Sequence, residues 1–185
     1  NVDCCHSFCH RAQMIDKTLA KDIAATATLT GSFLLRSGQT TSTYFDKYRL
    51  EADPELLKRV ADEMIPLLPS NVDVLAGLEL GGVPIATAIS LSIGKPAAFV
   101  RKKAKDYGTC LAVEGAILAD KRVVLIEDVI TTGGAVADAA KLVRAAGAEV
   151  VGVVCAIWRG DGSPKIASLP ELPVKSAMTM ADLLA

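Results

Sequence analysis

The sequence predicts an α/β protein in which a parallel central sheet is flanked by helices. Three observations carry that prediction. Apolar runs at 72–78, 97–100, 122–126 and 150–157 are too continuous for strands with one solvated face, and helix-patterned stretches separate them. Polar or glycine-rich residues follow the runs, at 79–82, 101–107, 127–134 and Arg159, where ligands bind in sheets of this kind. The 185 residues, 51% hydrophobic and 22% charged, suffice for one domain with its own core.

The elements follow in order. Ile15, Leu19, Ile23 and Ala27 recur at helical spacing and predict an opening helix over 15–27. Residues 32–35 and 42–45 read as short strands joined by the Ser37-Gly38 turn. Asp53-Pro54 caps and starts a helix carrying Leu56, Leu57, Val60, Met64 and Ile65, which Pro66 and Pro69 end. After the strand at 72–78, Gly81-Gly82-Val83-Pro84 reads as a turn and 85–93 as a helix stopped by Gly94. The strand at 97–100 runs into a basic loop, Arg101 to Gly108. A third strand at 122–126, a helix at 134–146 ended by Gly147, a fourth strand at 150–157 and a short fifth at 174–177 complete the pattern. Tyr48 and Trp158 read as packing residues and Lys103 as surface.

Composition excludes some functions. A net charge of -1 argues against a general nucleic-acid binder, so any basic site is local. No apolar run approaches the roughly 20 residues that a membrane helix needs. Cys4, Cys5 and Cys9 crowd the start, whereas Cys110 and Cys155 stand alone in apolar runs. That is no disulfide framework, and a buried Cys155 thiol suits a reducing cytoplasm. Residues 1–13 read as a leader or upstream extension, outside the fold.

The chemistry is carried by residues 123–135, Val-Val-Leu-Ile-Glu-Asp-Val-Ile-Thr-Thr-Gly-Gly-Ala. An apolar strand delivers Glu127 and Asp128, and a Thr131-Thr132-Gly133-Gly134 turn opens a helix. Backbone N–H groups in such a turn, with the positive end of the helix dipole, form a cradle for one phosphate. Adjacent carboxylates suit vicinal sugar hydroxyls beside it. Phosphate plus ribose is the implied ligand. No lysine follows the glycines as a P-loop requires, and no GxGxxG follows a strand.

Residues 124–135 resemble the phosphoribosyl diphosphate signature of the type I phosphoribosyltransferases. The likeness runs from about Met14 onward. It takes in Phe33-Leu34-Leu35-Arg36-Ser37-Gly38, Tyr44-Phe45-Asp46, Arg101-Lys102-x-Ala104-Lys105-Asp106-x-Gly108 and Arg159, a pattern similar to the members that use orotate. The resemblance implies a single domain over 14–185, with a small N-terminal hood mainly at 14–50 and a core mainly at 55–160. It implies transfer of a 5-phosphoribosyl group from phosphoribosyl diphosphate to orotate, as in pyrimidine biosynthesis.

Residue by residue, it assigns the 5-phosphate to the signature loop, Val129, Ile130, Thr131, Thr132, Gly133, Gly134 and Ala135, and the ribose to Glu127 and Asp128. Arg36, Leu80, Gly81, Arg101, Lys102, Lys105 and Tyr107 complete the phosphoribosyl diphosphate site, with Lys105 and Asp128 as catalytic residues. Tyr44, Phe45, Thr131 and Arg159 would hold orotate, the arginine fork suiting a planar anion. Arg36 stands where the family often has lysine, and Tyr107 where it often has histidine, so a step needing a loop histidine is not implied. Magnesium would be held by diphosphate oxygens and water, without a protein cage. A cytoplasmic homodimer sharing loop 101–108 between subunits is expected, with no nucleic acid or membrane partner. Two alternatives remain: transfer to a purine or another base, and a regulator that senses phosphoribosyl diphosphate without transferring it.

Overall fold

In a computed structural model, which describes residues 17–35, 37–103 and 111–185, the apolar runs pair side by side as parallel strands. Helix α1 (Lys17–Ala27) buries Leu19, Ala20, Ile23 and Ala27, the stripe that its spacing predicts. It leads into an antiparallel hairpin of β1 (Thr28–Leu34) and β2 (Thr40–Phe45). β1 begins four residues before the predicted Ser32. A glycine such as Gly31 weakens a strand, and here a register shift between Thr30 and Phe33 accommodates it.

A short helix, α2 (Lys47–Ala52), was not predicted; Asp46 caps it by accepting from Tyr48 N at 3.2 Å. Asp53 then caps α3 (Pro54–Met64), accepting from Glu55 N at 2.9 Å and Leu56 N at 3.1 Å, as the Asp-Pro pair foretells. α3 turns the face of Leu56, Val60, Ala61 and Met64 inward and ends in a 3-10 turn at Ile65–Leu67.

The core sheet follows. β3 (Val74–Leu78) leads to α4 (Gly82–Ile93), and β4 (Ala97–Val100) to β5 (Val113–Gly115). β6 (Arg122–Ile130), α5 (Gly134–Ala145), β7 (Glu149–Trp158), β8 (Val174–Thr179) and α6 (Met180–Leu184) complete the described chain. The strand order is β5-β4-β3-β6-β7-β8, parallel throughout except for β5, which lies antiparallel on β4 at one edge. Its three residues are too few to show a periodicity. The other edge strand, β8, carries the sheet out to Thr179.

Two expectations change. α4 starts at Gly82, not Ile85, because Pro84 falls in the first turn, where an N–H has no helical acceptor and its loss costs little. β6 runs to Ile130 and not Ile126, so Glu127 and Asp128 lie inside the strand and not just after it. β7 supplies the pairing that overrides their poor strand propensity, with Glu127 opposite Cys155 and Ile130 opposite Trp158.

The sheet buries both faces. On one, Val123 and Leu125 pack with Val136, Ala140 and Val143 of α5; on the other, Leu75, Val124 and Ile126 pack with Ile85 and Ile89 of α4. Gly77 lets α4 lie directly on β3, since a Cβ there would meet Gly82 O at 2.5 Å and the Ala86 methyl at 2.9 Å. Truncating a fully buried Leu125 or Ile126 to alanine is expected to cost about 2–5 kcal/mol.

Candidate active site

The carboxyl ends of β3, β4, β6 and β7 lie side by side, and each delivers polar groups. Glu79 N donates to Val100 O at 2.9 Å, and the Glu79 carboxylate accepts from Lys102 N at 3.0 Å, so the segments after β3 and β4 are tied together. The Glu79-Leu80 peptide is cis. Arg159 N donates to Ile130 O at 2.8 Å, which sets the start of the Arg159 side chain beside Thr131.

Between β6 and α5 the chain turns through Gly133 in the left-handed region, φ 80°. Only glycine suits this position: beyond the backbone conformation, a Cβ would lie 2.6 Å from Ile166. No side chain caps α5, and Thr131, Thr132, Gly134 and Ala135 are exposed. The first-turn N–H groups therefore face outward with the dipole behind them, as an anion cradle requires.

The hairpin and α2 cover this end of the sheet. A cavity of about 500 Å³ is lined by Thr41, Tyr44, Phe45, Lys47, Tyr48, Val129, Thr131 and Arg159, among others. The four residues expected to hold a planar anionic base thus meet around one space. A second cavity, about 270 Å³, lies between the end of β4 and α5 and is lined by Glu79, Arg101, Lys102 and Ala135 with apolar neighbours. Arg101 Nε is buried there without a hydrogen-bond partner among the described residues.

Asp128 is buried deeper than a solvated sugar ligand, at 1% exposure, and the reason is α2. Lys47 Nζ lies 2.6 Å from Asp128 Oδ2, and Glu51, one helical turn after Lys47, approaches the same oxygen. Both carboxyls rest on Gly81, where any Cβ would overlap Asp128 Oδ2 and Glu51 Oε1. Beside them, Glu127 accepts from Asp128 N at 3.1 Å. Burial raises the Glu127 carboxyl to about 9 and the Glu51 carboxyl to about 8, and the hydrogen bond and charge of Asp128 add to both. Burial also pushes Asp128 upward, but hydrogen bonds from Glu127, Glu51 and Lys47 outweigh it and hold Asp128 below its ordinary value. Burial opposes the Lys47 charge, and the bond and charge of Asp128 more than compensate, so Lys47 is raised. The cluster thus favours Asp128 as its carboxylate, with Lys47 as its ammonium.

Of the predicted site residues, Leu80, Gly81, Arg101 and Lys102 lie after β3 and β4, Glu127 to Ala135 run from β6 into α5, and Tyr44, Phe45, Thr131 and Arg159 surround the larger cavity. Arg36, Lys105 and Tyr107 fall outside the described residues. Trp158 packs in the core as predicted, its indole donating to Gly162 O at 3.0 Å. Tyr48 does not pack: it is 46% exposed and lines the larger cavity. Sequence reasoning missed Lys47 and Glu51. Their i,i+4 spacing just after Tyr44-Phe45 was the available signal, but such pairs usually mark a solvated helix face.

Comparison with known proteins agrees with this geometry. Residues 49–170 match the phosphoribosyl transferase domain family. The orotate phosphoribosyltransferase of Nocardioides sp. (strain ATCC BAA-499 / JS614) is 59% identical over 169 residues, 91% of this chain and 94% of that protein. The chain belongs to the orotate phosphoribosyltransferase family. Among solved structures, the Mycobacterium tuberculosis H37Rv orotate phosphoribosyltransferase in complex with Fe(III) dicitrate aligns with a TM-score of 0.78 at 32% identity, covering 90% of this chain and 97% of that one. The same organism's enzyme in complex with 5-phospho-alpha-D-ribosyl 1-diphosphate aligns with a TM-score of 0.77 at 28% identity, covering 91% and 98%. The fold expectation, a phosphoribosyltransferase sheet flanked by helices, and the expected enzyme class both hold.

Proposed function

We propose that this family member transfers 5-phosphoribosyl from phosphoribosyl diphosphate to orotate in the space between the hairpin and the carboxyl ends of β6 and β7. The observation that carries the reading is the meeting of Arg159, Thr131, Tyr44 and Phe45 around one cavity, beside the outward-facing first turn of α5. In this reading Thr131 to Ala135 hold the 5-phosphate, Glu127 and Asp128 the ribose hydroxyls, and Leu80, Gly81, Arg101 and Lys102 the diphosphate. Lys105 would reach the diphosphate from loop 101–108, from a neighbouring subunit in a homodimer.

The bond between the anomeric carbon and diphosphate breaks as the orotate nitrogen bonds to that carbon, positive charge develops on the sugar in passing, and the proton of that nitrogen leaves with the departing diphosphate. Asp128, the anion of its cluster, is suited to balance that charge; Arg101, Lys102 and Lys105 are suited to receive the departing diphosphate. The described residues hold no group of three or more His, Cys, Asp or Glu side chains arranged for a metal ion, and Asp128 is engaged by Lys47. In this reading magnesium would be held by diphosphate oxygens and water, and would offset the diphosphate charge. No helix among the described residues is long and apolar enough to cross a membrane. The hood at 14–50, the core at 55–160 and a cytoplasmic setting complete the proposal.

The test is loss of orotate absorbance on mixing protein, phosphoribosyl diphosphate and magnesium, with adenine, hypoxanthine and uracil in parallel. Orotate alone is expected to react, and Arg159→Ala is expected to raise its KM roughly tenfold or more, the scale of one lost hydrogen bond to a charged group. Turnover of a purine would move the base assignment, and binding without any turnover would favour the sensor.

A further inference from the structure

Glu51 has no role in the site described above, yet it is built into it. Its Oε1 is buried, with no hydrogen-bond donor among the described residues other than a proton on a carboxyl itself. That oxygen and Asp128 Oδ2 converge over Gly81, crowding the one point where a Cβ would stand. Two carboxyl oxygens pressed together away from water do not both belong to anions; one of the pair carries a proton. Lys47 Nζ, 2.6 Å from Asp128 Oδ2, marks Asp128 as the anion. The proton then sits on Glu51.

We infer that Glu51 is a positioning residue: it donates a hydrogen bond to Asp128 and, with Lys47, fixes the direction in which Asp128 meets the ribose. The inference rests on the proposed role of Asp128 as a ribose ligand. It makes helix α2, which carries no substrate contact at Glu51, a determinant of affinity for phosphoribosyl diphosphate. The groups that face Glu51 are Asp46, which caps α2, Lys47 on α2 and Asp128 on β6. Burial and Asp128 together raise the Glu51 carboxyl to about 8, so it loses its proton within the range of a kinetic assay. A Glu51 carboxylate would then repel the Asp128 that it had held.

The experiment is KM for phosphoribosyl diphosphate, with orotate saturating, from about pH 6.5 to about pH 9.5. Wild type, Glu51→Gln, Glu51→Ala, Glu127→Gln and Asp128→Asn are compared, each checked by thermal melting. For wild type, KM is expected to rise above about pH 8. The amide of Glu51→Gln donates at every pH, so its profile is expected to lose that rise. Glu51→Ala is expected to raise KM roughly tenfold already at neutral pH, the scale of one lost hydrogen bond to a charged group. If Glu51→Ala does not fold, the Glu51→Gln profile decides alone. A rise that survives in Glu51→Gln but vanishes in Glu127→Gln belongs to Glu127 and overturns the inference. Asp128→Asn separates the two readings. If it leaves KM unchanged, the ribose role fails and the inference with it; if it raises KM while both Glu51 variants follow wild type, the inference alone fails.

Discussion

The two ends of β3 and β6 treat charge in opposite ways. At the amino ends, Asp73 and Arg122 form a matched pair: the Asp73 carboxylate accepts from Arg122 N, Nε and Nη2, each at 2.9 Å. Each partner stays open to water, at 31% and 42% exposure. At the carboxyl ends, some five residues along β6, Glu51 and the buried Glu127 and Asp128 share one ammonium, Lys47, whose side chain is 33% exposed. At the first end Asp73 and Arg122 each have the other as partner. At the second, two acids must give up their charge for the third to keep it. A cluster of that kind opposes folding, and perturbed, mutually dependent acids in a cleft mark chemistry more often than architecture.

The largest test of this contrast is Asp128→Asn. It keeps the shape of the side chain while removing the anion around which the cluster is organised. If Asp128 faces developing positive charge in the transition state, kcat/KM for phosphoribosyl diphosphate is expected to fall on the order of 100-fold, the scale of one lost preorganised electrostatic contact. A loss below about threefold in steady-state assays would make the cluster architectural.

Gly81→Ala is expected to come next. The added methyl would displace Asp128 Oδ2 and Glu51 Oε1 together, and overpacking of this sort costs about 1–3 kcal/mol. The check is a denaturant melt with KM for phosphoribosyl diphosphate alongside it. Lower stability and raised KM should appear in the same protein, because one contact serves both.

The contrast between the two ends also separates what was readable in the chain from what was not. The apolar runs that became β3, β4, β6 and β7, the Asp53-Pro54 cap and the Gly94 stop were legible because each follows a local rule: uninterrupted hydrophobicity, a side-chain cap, a glycine free to take φ 67°. In residues 127–135, a strand that delivers two acids and a glycine turn that opens a helix were legible because strand, acids and turn are contiguous. Lys47 and Glu51 were not legible. Their meaning comes from an encounter with Asp128, some 80 residues away in sequence, across a glycine whose missing side chain leaves them room. The length of β6 was missed for a related reason, since its last residues are held by pairing with β7 and not by their own preference. Tyr48, read as core, faces the cavity because α2, which turns it there, was itself unforeseen.

The smallest effects come from the amino end, and pH reads them against the other. The hydrogen bonds and charge of Arg122 hold the Asp73 carboxyl well below its ordinary value of 3.8, so its contribution to stability is complete above that pH and is lost as pH falls. Glu127 has the opposite sign. Its carboxyl rises from 4.5 to about 9, so the folded state keeps a proton that the unfolded state gives up. That contribution is complete below pH 4.5 and fades as pH climbs to about 9. Denaturant midpoints across pH are therefore expected to fall on both sides of a maximum. Glu127→Gln is expected to reduce the alkaline fall in part and to leave the acid side as it is, because Glu51, raised to about 8, contributes with the same sign as Glu127. Asp73→Asn should reduce only the acid side, and modestly, because water screens an exposed pair and because Asp128 contributes with the same sign there. Orotate turnover in Asp73→Asn is expected to match wild type, since the pair lies at the end of the sheet away from the site. An Asp73→Asn variant that lost activity would mean that the two ends of β3 and β6 are coupled through the strands, and the contrast between them would fail.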